Sequence, residues 1–475
     1  MALSGGEKYV TLVIHFVSTV IVARLLTPEE IGIYSVGAAA VAIANVLRDF
    51  GVTTYLIQEP DIDRVRVRTA FTLTLAIGWS LGGVVYLAAP AIAGFYGEGG
   101  VEAVLHVIAL NFFLIPFGSV ALALLRRDMR FKPMFRVGVA SALAHAVVVV
   151  SLAHAGFGYL SLAWAAVAGV LVQVAGALSA TPQRFVGMPT LREARRVLSF
   201  GGRIGLANVT NEIAIAAPDL ILGRALGFTT LGYFNRALGF VQLFEYAVID
   251  ALRPVWLPYF SRQQREGVDV RAAYLRALGY LLIVAWPALA AMAMLAPVLI
   301  GLLYGSQWGP AVPIAYVLVL AVAVRVPAVL TGAVLTARGL APLVLRIAVI
   351  ATTLKVLALL LGAPHGVMPA AIGYVLAETA TSLLTLRYAA HRLNFAAGAL
   401  WRPMLHAVGV AGGVVGVLAL YVYSGLVVLE PGAGLLHLLF CLVSALVIWC
   451  VALYVLRHPL LQEGVDMLRG RLGHS

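Results

Sequence analysis

Most of the Lys and Arg residues in this chain fall in alternate gaps between long apolar runs. Seven basic groups mark one set of gaps: Arg64–Arg68, Arg126–Arg136, Arg184–Arg203, Arg253–Arg276, Arg338, Arg387–Arg402 and Arg457–Arg471. Gaps between them, such as 95–101, 156–158, 304–312, 363–367 and 427–435, hold no Lys or Arg. Loops that keep positive charge stay on the cytoplasmic side of a membrane, so the alternation sets both the number and the direction of crossings. A span needs about 20 mainly apolar residues. The runs predict fourteen, at 8–26, 29–48, 69–93, 101–125, 134–155, 158–180, 197–224, 229–252, 272–300, 309–336, 340–362, 367–390, 401–426 and 434–456. An even number puts both termini on one side, and the basic gaps make it the cytoplasmic side. The fold class is an all-α polytopic membrane protein.

Composition excludes the main competitors. At 62% hydrophobic and 11% charged residues, the chain lies outside the soluble globular range. The net charge of +12 is spread over many loops and forms no single stripe, which argues for anionic lipid and against nucleic acid as its partner. Cys441 and Cys450 lie nine positions apart in one apolar run, so they face opposite sides of a helix and cannot pair within it. No soluble domain interrupts the runs. The longest connections are 181–196, with the composition of a membrane-surface linker, and 259–271.

The chain also repeats itself. "VARLLTPEEIGIY" at 22–34 recurs as "LGRALGFTTLGYF" at 222–234, aligning Arg24 with Arg224, Leu26 with Leu226, Gly32 with Gly232 and Tyr34 with Phe234. "APAIAGFYG" at 89–97 recurs as "APVLIGLLYG" at 296–305. Each pair occupies the same place in a six-helix half. Six is even, so the halves insert in the same direction, as parallel repeats about an axis along the membrane normal. The expected organisation is an N-lobe at 1–182, a cytoplasmic linker at 183–196, a C-lobe at 197–392, and appended helices with a cytoplasmic tail at 393–475. The thirteenth span carries Gly409/Gly413 and Gly412/Gly416, spacings suited to close helix packing.

Charges inside spans are costly, at least about 2.5–3.5 kcal/mol each on insertion scales, so they face a protein interior or a wet cavity. The basic ones here are Arg24, Arg48, Arg224, Arg236, Arg325, Arg346 and Lys355; the acidic ones, some at span edges, are Asp49, Glu212, Asp219, Glu245, Asp250 and Glu378. Arg24 and Arg224 mark equivalent helix ends, where an Arg bonds terminal carbonyls. On the seventh span, Asn208, Glu212 and Asp219 share one face, and Pro218 interrupts the helix beside them. Glu212, Asp219 and Glu378 have two readings that sequence leaves open: carriers of a proton or cation, or counter-ions for Arg325, Arg346 and Lys355. No His, Cys or carboxylate set has metal spacing, and no phosphate-cradling loop or nucleophile elbow is present, so neither metal nor cofactor is expected.

Four segments, "ARLLTPEEIGIYSV", "RDFGVTTYLIQ", "DLILGRALGFTTLGYFNRALGFVQL" and "LYGSQWGPAVPIAYVL", resemble landmarks of the Wzx-type oligosaccharide flippases, the lipopolysaccharide and exopolysaccharide exporters of the MOP superfamily. The resemblance implies a MATE-like fold in the bacterial inner membrane. It implies alternating-access translocation of undecaprenyl-pyrophosphate-linked oligosaccharide units, with a polysaccharide polymerase and a chain-length regulator as candidate partners. A proton or sodium gradient is the candidate drive. For such a substrate the planar fork of Arg suits pyrophosphate oxygens. Arg325 is then the first headgroup candidate, lying mid-span just before Pro327, followed by Arg346, Arg236 and Arg48. Competing readings are a MATE-type drug or metabolite antiporter, a peptidoglycan-precursor (lipid II) flippase and, more remotely, a membrane glycan polymerase or ligase.

Overall fold

The computed structural model describes residues 2–49, 51–181, 189–424, 435–456 and 459–460. Residues 183–188 of the expected linker and the tail from 461 lie outside that set. The first helices are α1 (Ala2–Leu25), α2 (Pro28–Asp49), α3 (Val52–Gln58), α4 (Arg64–Tyr96), α5 (Gly99–Arg127), α6 (Phe131–His154), α7 (Tyr159–Ala180) and α8 (Ala194–Leu226). Then follow α9 (Phe228–Phe244), α10 (Asp250–Arg265), α11 (Val270–Tyr304), α12 (Ala311–Arg325), α13 (Thr331–Ala337), α14 (Ala341–Gly362), α15 (Val367–Leu393), α16 (Trp401–Tyr423) and α17 (Leu435–Val455). Three pairs are broken single passes: α2–α3 at Gly51, α9–α10 at a π-helical turn (Glu245–Ile249), and α12–α13 at a 3₁₀ turn (Val326–Ala328). Fourteen passes result among the described residues.

Twelve of these passes are long and apolar enough to cross a membrane. The other two, α8 and α9–α10, are the seventh and eighth expected spans. They carry Glu212 and Asp219 on α8, and Asp250, Arg253, Arg262 and Arg265 on α10. The helix expected to stop at 252 runs on to Arg265, so much of the expected 259–271 loop is helical.

The molecule divides into two compact units, Met1–Gly232 and Tyr233–Ser475. In the first, the "TPEE" segment forms a capping box: the Glu30 carboxylate accepts from the Thr27 amide (2.7 Å) and hydroxyl (2.9 Å), with Pro28 at the start of α2. The second copy, "GFTT", replaces that cap with Gly227 at φ +80°. The repeat glycines make a reciprocal close approach. A Cβ at Gly32 would collide with the Phe228 carbonyl, and one at Gly232 would collide with the Pro28 carbonyl. Only a hydrogen allows two backbones this near.

The other repeated landmark is equally visible. α4 and α11 are each N-capped by an aspartate, Asp63 accepting from the Arg66 amide (2.8 Å) and Asp269 from the Arg271 amide (2.9 Å). Each ends on a positive-φ glycine, Gly97 or Gly305.

In the second unit, α16 packs along α11, burying Val414 and Leu418 against Ala291, Leu295 and Val298, while α17 adds Leu438 and Cys441. Trp449 of α17 donates to the Ile283 carbonyl at 2.8 Å. The glycine spacings of α16 do not make this contact. Gly409, Gly412 and Gly416 have nothing within 4 Å of a built Cβ, and Gly413 meets only Ile448 at 3.9 Å. The face that packs is Ala407, Val410, Val414 and Leu418, because the bulky α11 side chains are better filled by branched residues than by bare backbone. Cys441 is buried and Cys450 exposed, as expected for opposite faces.

Candidate functional site

The second unit holds a quartet of charges, and two of its members stand where helices break. Glu245 opens the π-helical turn after α9. Arg325 ends α12, where Pro327, lacking an amide hydrogen, starts the 3₁₀ turn. Lys355 comes from α14, and Glu378 from α15. The Arg325 Nη2 pairs with Glu245, and its Nη1 lies 3.8 Å from Glu378; the Lys355 Nζ bonds the same Glu378 oxygen at 2.7 Å. Lys355 also sits 5.4 Å from the ring centre of Tyr374, one turn before Glu378. Two cations face two carboxylates, so the quartet is neutral.

Burial is uneven across it. The Glu378 side chain is 3% exposed and Lys355 15%, whereas Arg325 and Glu245 are 30% and 25% exposed. Glu378 is therefore the anchor, the most enclosed member and held by two cations, and the Arg325–Glu245 pair is the more open end. Irregular backbone within a membrane is tolerated where it is buried in protein or lines a wet cavity. A π-turn in particular concentrates at functional sites.

Of the intramembrane charges named from the sequence, Arg325, Lys355, Glu245 and Glu378 come together here. Arg346 does not join them. It lies nine residues before Lys355 on α14, half a helical revolution away, and is exposed. Arg236 is buried in an aromatic cage, its guanidinium carbon 4.8 Å from the ring centres of both Tyr304 and Trp308, with Tyr233 packed edge-on against Trp308. That placement ties α9 to the end of α11 and its following loop.

Arg48, in the first unit, is half-buried near Gly78 of α4, and its Nε and Nη1 find no hydrogen-bond partner among the described residues. Its neighbour Asp49 is engaged by the Thr53 hydroxyl at 2.6 Å. Glu212 and Asp219 are half-buried on α8 in the first unit, where Tyr96 donates to the Leu220 carbonyl at 3.0 Å. The side chain of Asn208 lies outside the described residues.

Glu245 is among the charges evident in the sequence, but nothing in the sequence matches it to Arg325. Its signal was its place just inside the end of an expected span. Among the described residues, no group of three or more His, Cys, Asp or Glu side chains could hold a metal.

The model of the family described as "Polysaccharide biosynthesis protein" matches residues 21–313, a stretch that includes Arg48 and Glu245 and ends before Arg325. The chain belongs to that family. Similar members include the lipopolysaccharide biosynthesis protein WzxC of Escherichia coli (strain K12), 22% identical over 78% of this chain and 76% of that protein. Another is the succinoglycan biosynthesis transport protein ExoT of Rhizobium meliloti (strain 1021), 27% identical over 68% of this chain and 65% of that one. Among solved structures, the lipid II flippase MurJ in an inward closed conformation superposes with a TM-score of 0.79 over 97% of this chain and all of its own, at 11% identity. An inward-facing multidrug resistance MATE transporter of the MOP superfamily gives 0.67 over 81% of this chain and 94% of its own, at 15% identity. The fold of this family member is thus the MATE and MurJ fold, as the sequence motifs implied.

Proposed function

We infer that this chain is a flippase for lipid-linked oligosaccharide, carrying units joined to undecaprenyl by pyrophosphate between the leaflets of the bacterial inner membrane. The observation that carries the reading is the neutral quartet within a family of polysaccharide biosynthesis proteins. Relatives named for lipopolysaccharide biosynthesis and succinoglycan transport support the substrate class.

The quartet suggests how an anionic headgroup is handled. Arg325 is held in orientation by Glu245 at the open end, while Lys355 pairs with Glu378 at the closed end. A pyrophosphate oxygen pair can take the place of the Glu245 carboxylate on the planar fork, since both are anions of similar bite. The freed carboxylate then takes a proton or a sodium ion, which links headgroup binding to an ion gradient. The repeat halves expected at 1–182 and 197–392 would supply alternating access, with both termini cytoplasmic and the appended helices serving as packing. A polymerase and a chain-length regulator would receive the product on the far side.

The test is leaflet translocation in vesicles, using a fluorescent lipid-pyrophosphate oligosaccharide beside the same glycan on an uncharged lipid. Arg325→Ala is expected to abolish translocation of the charged substrate at normal protein levels. Arg325→Lys should restore part, because an ammonium keeps the charge and loses the fork. Full transport by a well-expressed Arg325→Ala protein refutes the reading.

A further inference from the structure

The first unit carries a groove at the shared end of α6 and α7 that the transport reading leaves unused. Its volume is about 1250 Å³. Arg130, Lys132 and Arg136 stand along it, and among the described residues no acidic one lines it. Arg130 reaches across from the start of α6 and donates to the Ala180 carbonyl at the end of α7 (3.1 Å). Lys132 and Arg136, four residues apart on one face of α6, are exposed and make no ion pair among the described residues. Below these charges the groove becomes apolar, with Val137 and Ala140 on α6 facing Val172 and Gly176 on α7. Its floor closes where the helices meet, because a Cβ on Gly176 would stand 2.9 Å from Val137.

The adjoining groove makes the contrast. It lies beyond Arg130 and mixes Asp61, Asp63 and Asp128 with Arg64 and Arg127, so its charges have partners at hand. The α6–α7 groove has three cations, none of the acids, and an apolar trough leading into the membrane-spanning part of both helices. Cations at the rim and hydrocarbon beneath match an amphiphile with a phosphate head. A soluble anion would use the first part only, and a protein helix would not need the second to begin at the charges.

We propose that the α6–α7 groove is a binding site for an anionic phospholipid, whose phosphate meets Lys132, Arg136 and Arg130 while its acyl chains lie between α6 and α7. The site is separate from the quartet and does not depend on what the protein transports. Each Lys or Arg near a membrane surface is worth about fivefold in attraction for anionic lipid, so losing two should cost about thirtyfold.

The experiment titrates the purified full chain in detergent with phosphatidylglycerol or phosphatidylcholine of the same acyl chains and counts bound lipid by native mass spectrometry. The wild type should bind one phosphatidylglycerol more tightly than any phosphatidylcholine. Lys132→Gln/Arg136→Gln should lose that preference about thirtyfold, while Arg64→Gln in the adjoining groove should keep it. Ala140→Trp fills the apolar trough without changing charge and should also evict the lipid. Equal retention by the double variant overturns the proposal, as does equal loss in Arg64→Gln. If Ala140→Trp binds normally and short-chain glycerophosphate competes as well as the full lipid, the groove takes a bare anion and the lipid assignment fails.

Discussion

Removing one carboxylate from the quartet separates its closed end from its open end. Glu378→Gln leaves Lys355 and Arg325 facing each other with only Glu245 to balance them. Glu378 is 3% exposed, so the loss falls in the range for breaking a buried pair, about 3–5 kcal/mol. Glu245→Gln leaves Arg325 near Glu378, and both members of the lost pair are a quarter or more exposed. This is the less enclosed pair, so the expected cost is smaller, about 1 kcal/mol, near the upper value for exposed pairs. The second-site test is Glu378→Gln/Lys355→Met, which removes one charge of each sign. The double variant should recover part of the single-mutant loss, with a coupling of about 0.5–3 kcal/mol. The assay is retention of a monodisperse detergent peak against temperature or denaturant, run in parallel on all variants. If Glu245→Gln destabilises as much as Glu378→Gln, or if the double variant is no better than additive, the ordering by burial is wrong.

Further outcomes follow from the same geometry. Gly32→Ala and Gly232→Ala each place a methyl against a backbone carbonyl, and each should cost about 1–3 kcal/mol of stability; Gly412→Ala, with open space around it, should be neutral or slightly stabilising in the same assay. Arg236→Ala removes a guanidinium stacked between Tyr304 and Trp308 and should lower stability by about 1–4 kcal/mol, with a change in Trp308 fluorescence that Arg346→Ala does not produce. For topology, externally added thiol reagent should miss cysteines placed at 190 and 470 and reach those at 98 and 306; strong labelling at 190 rejects the orientation.

The passes were legible because an apolar run of the right length has few alternatives in a chain this hydrophobic. The repeat was legible because Gly32 and Gly232 answer one local requirement, a backbone that tolerates no Cβ. What escaped the sequence depends on rotation about helix axes. The π-turn at Glu245–Ile249 inserts a residue into the helical phase, so a face read along α9 does not continue into α10. The glycines of α16 failed for a related reason: a small-residue spacing marks a surface able to pack closely, while the partner helix decides which surface is used. The cage around Arg236 joins residues far apart in the chain, and no spacing rule connects them. Glu378 could be named as a candidate partner of Arg325 and Lys355 because intramembrane charges usually pair, but choosing Glu245 as well required the irregular turns at Glu245–Ile249 and Val326–Ala328.

The neutrality of the quartet bears on how the membrane voltage acts on this protein. A single elementary charge carried across the full field exchanges about 2.3 kcal/mol with each 100 mV. A lone mid-span arginine moving with its helix would therefore make every conformational step sensitive to the potential. Two cations and two carboxylates travelling together sum to zero and exchange nothing. Through these four groups the empty protein is electrically silent. Voltage can then act on the cycle through charge that arrives with cargo or with a captured ion.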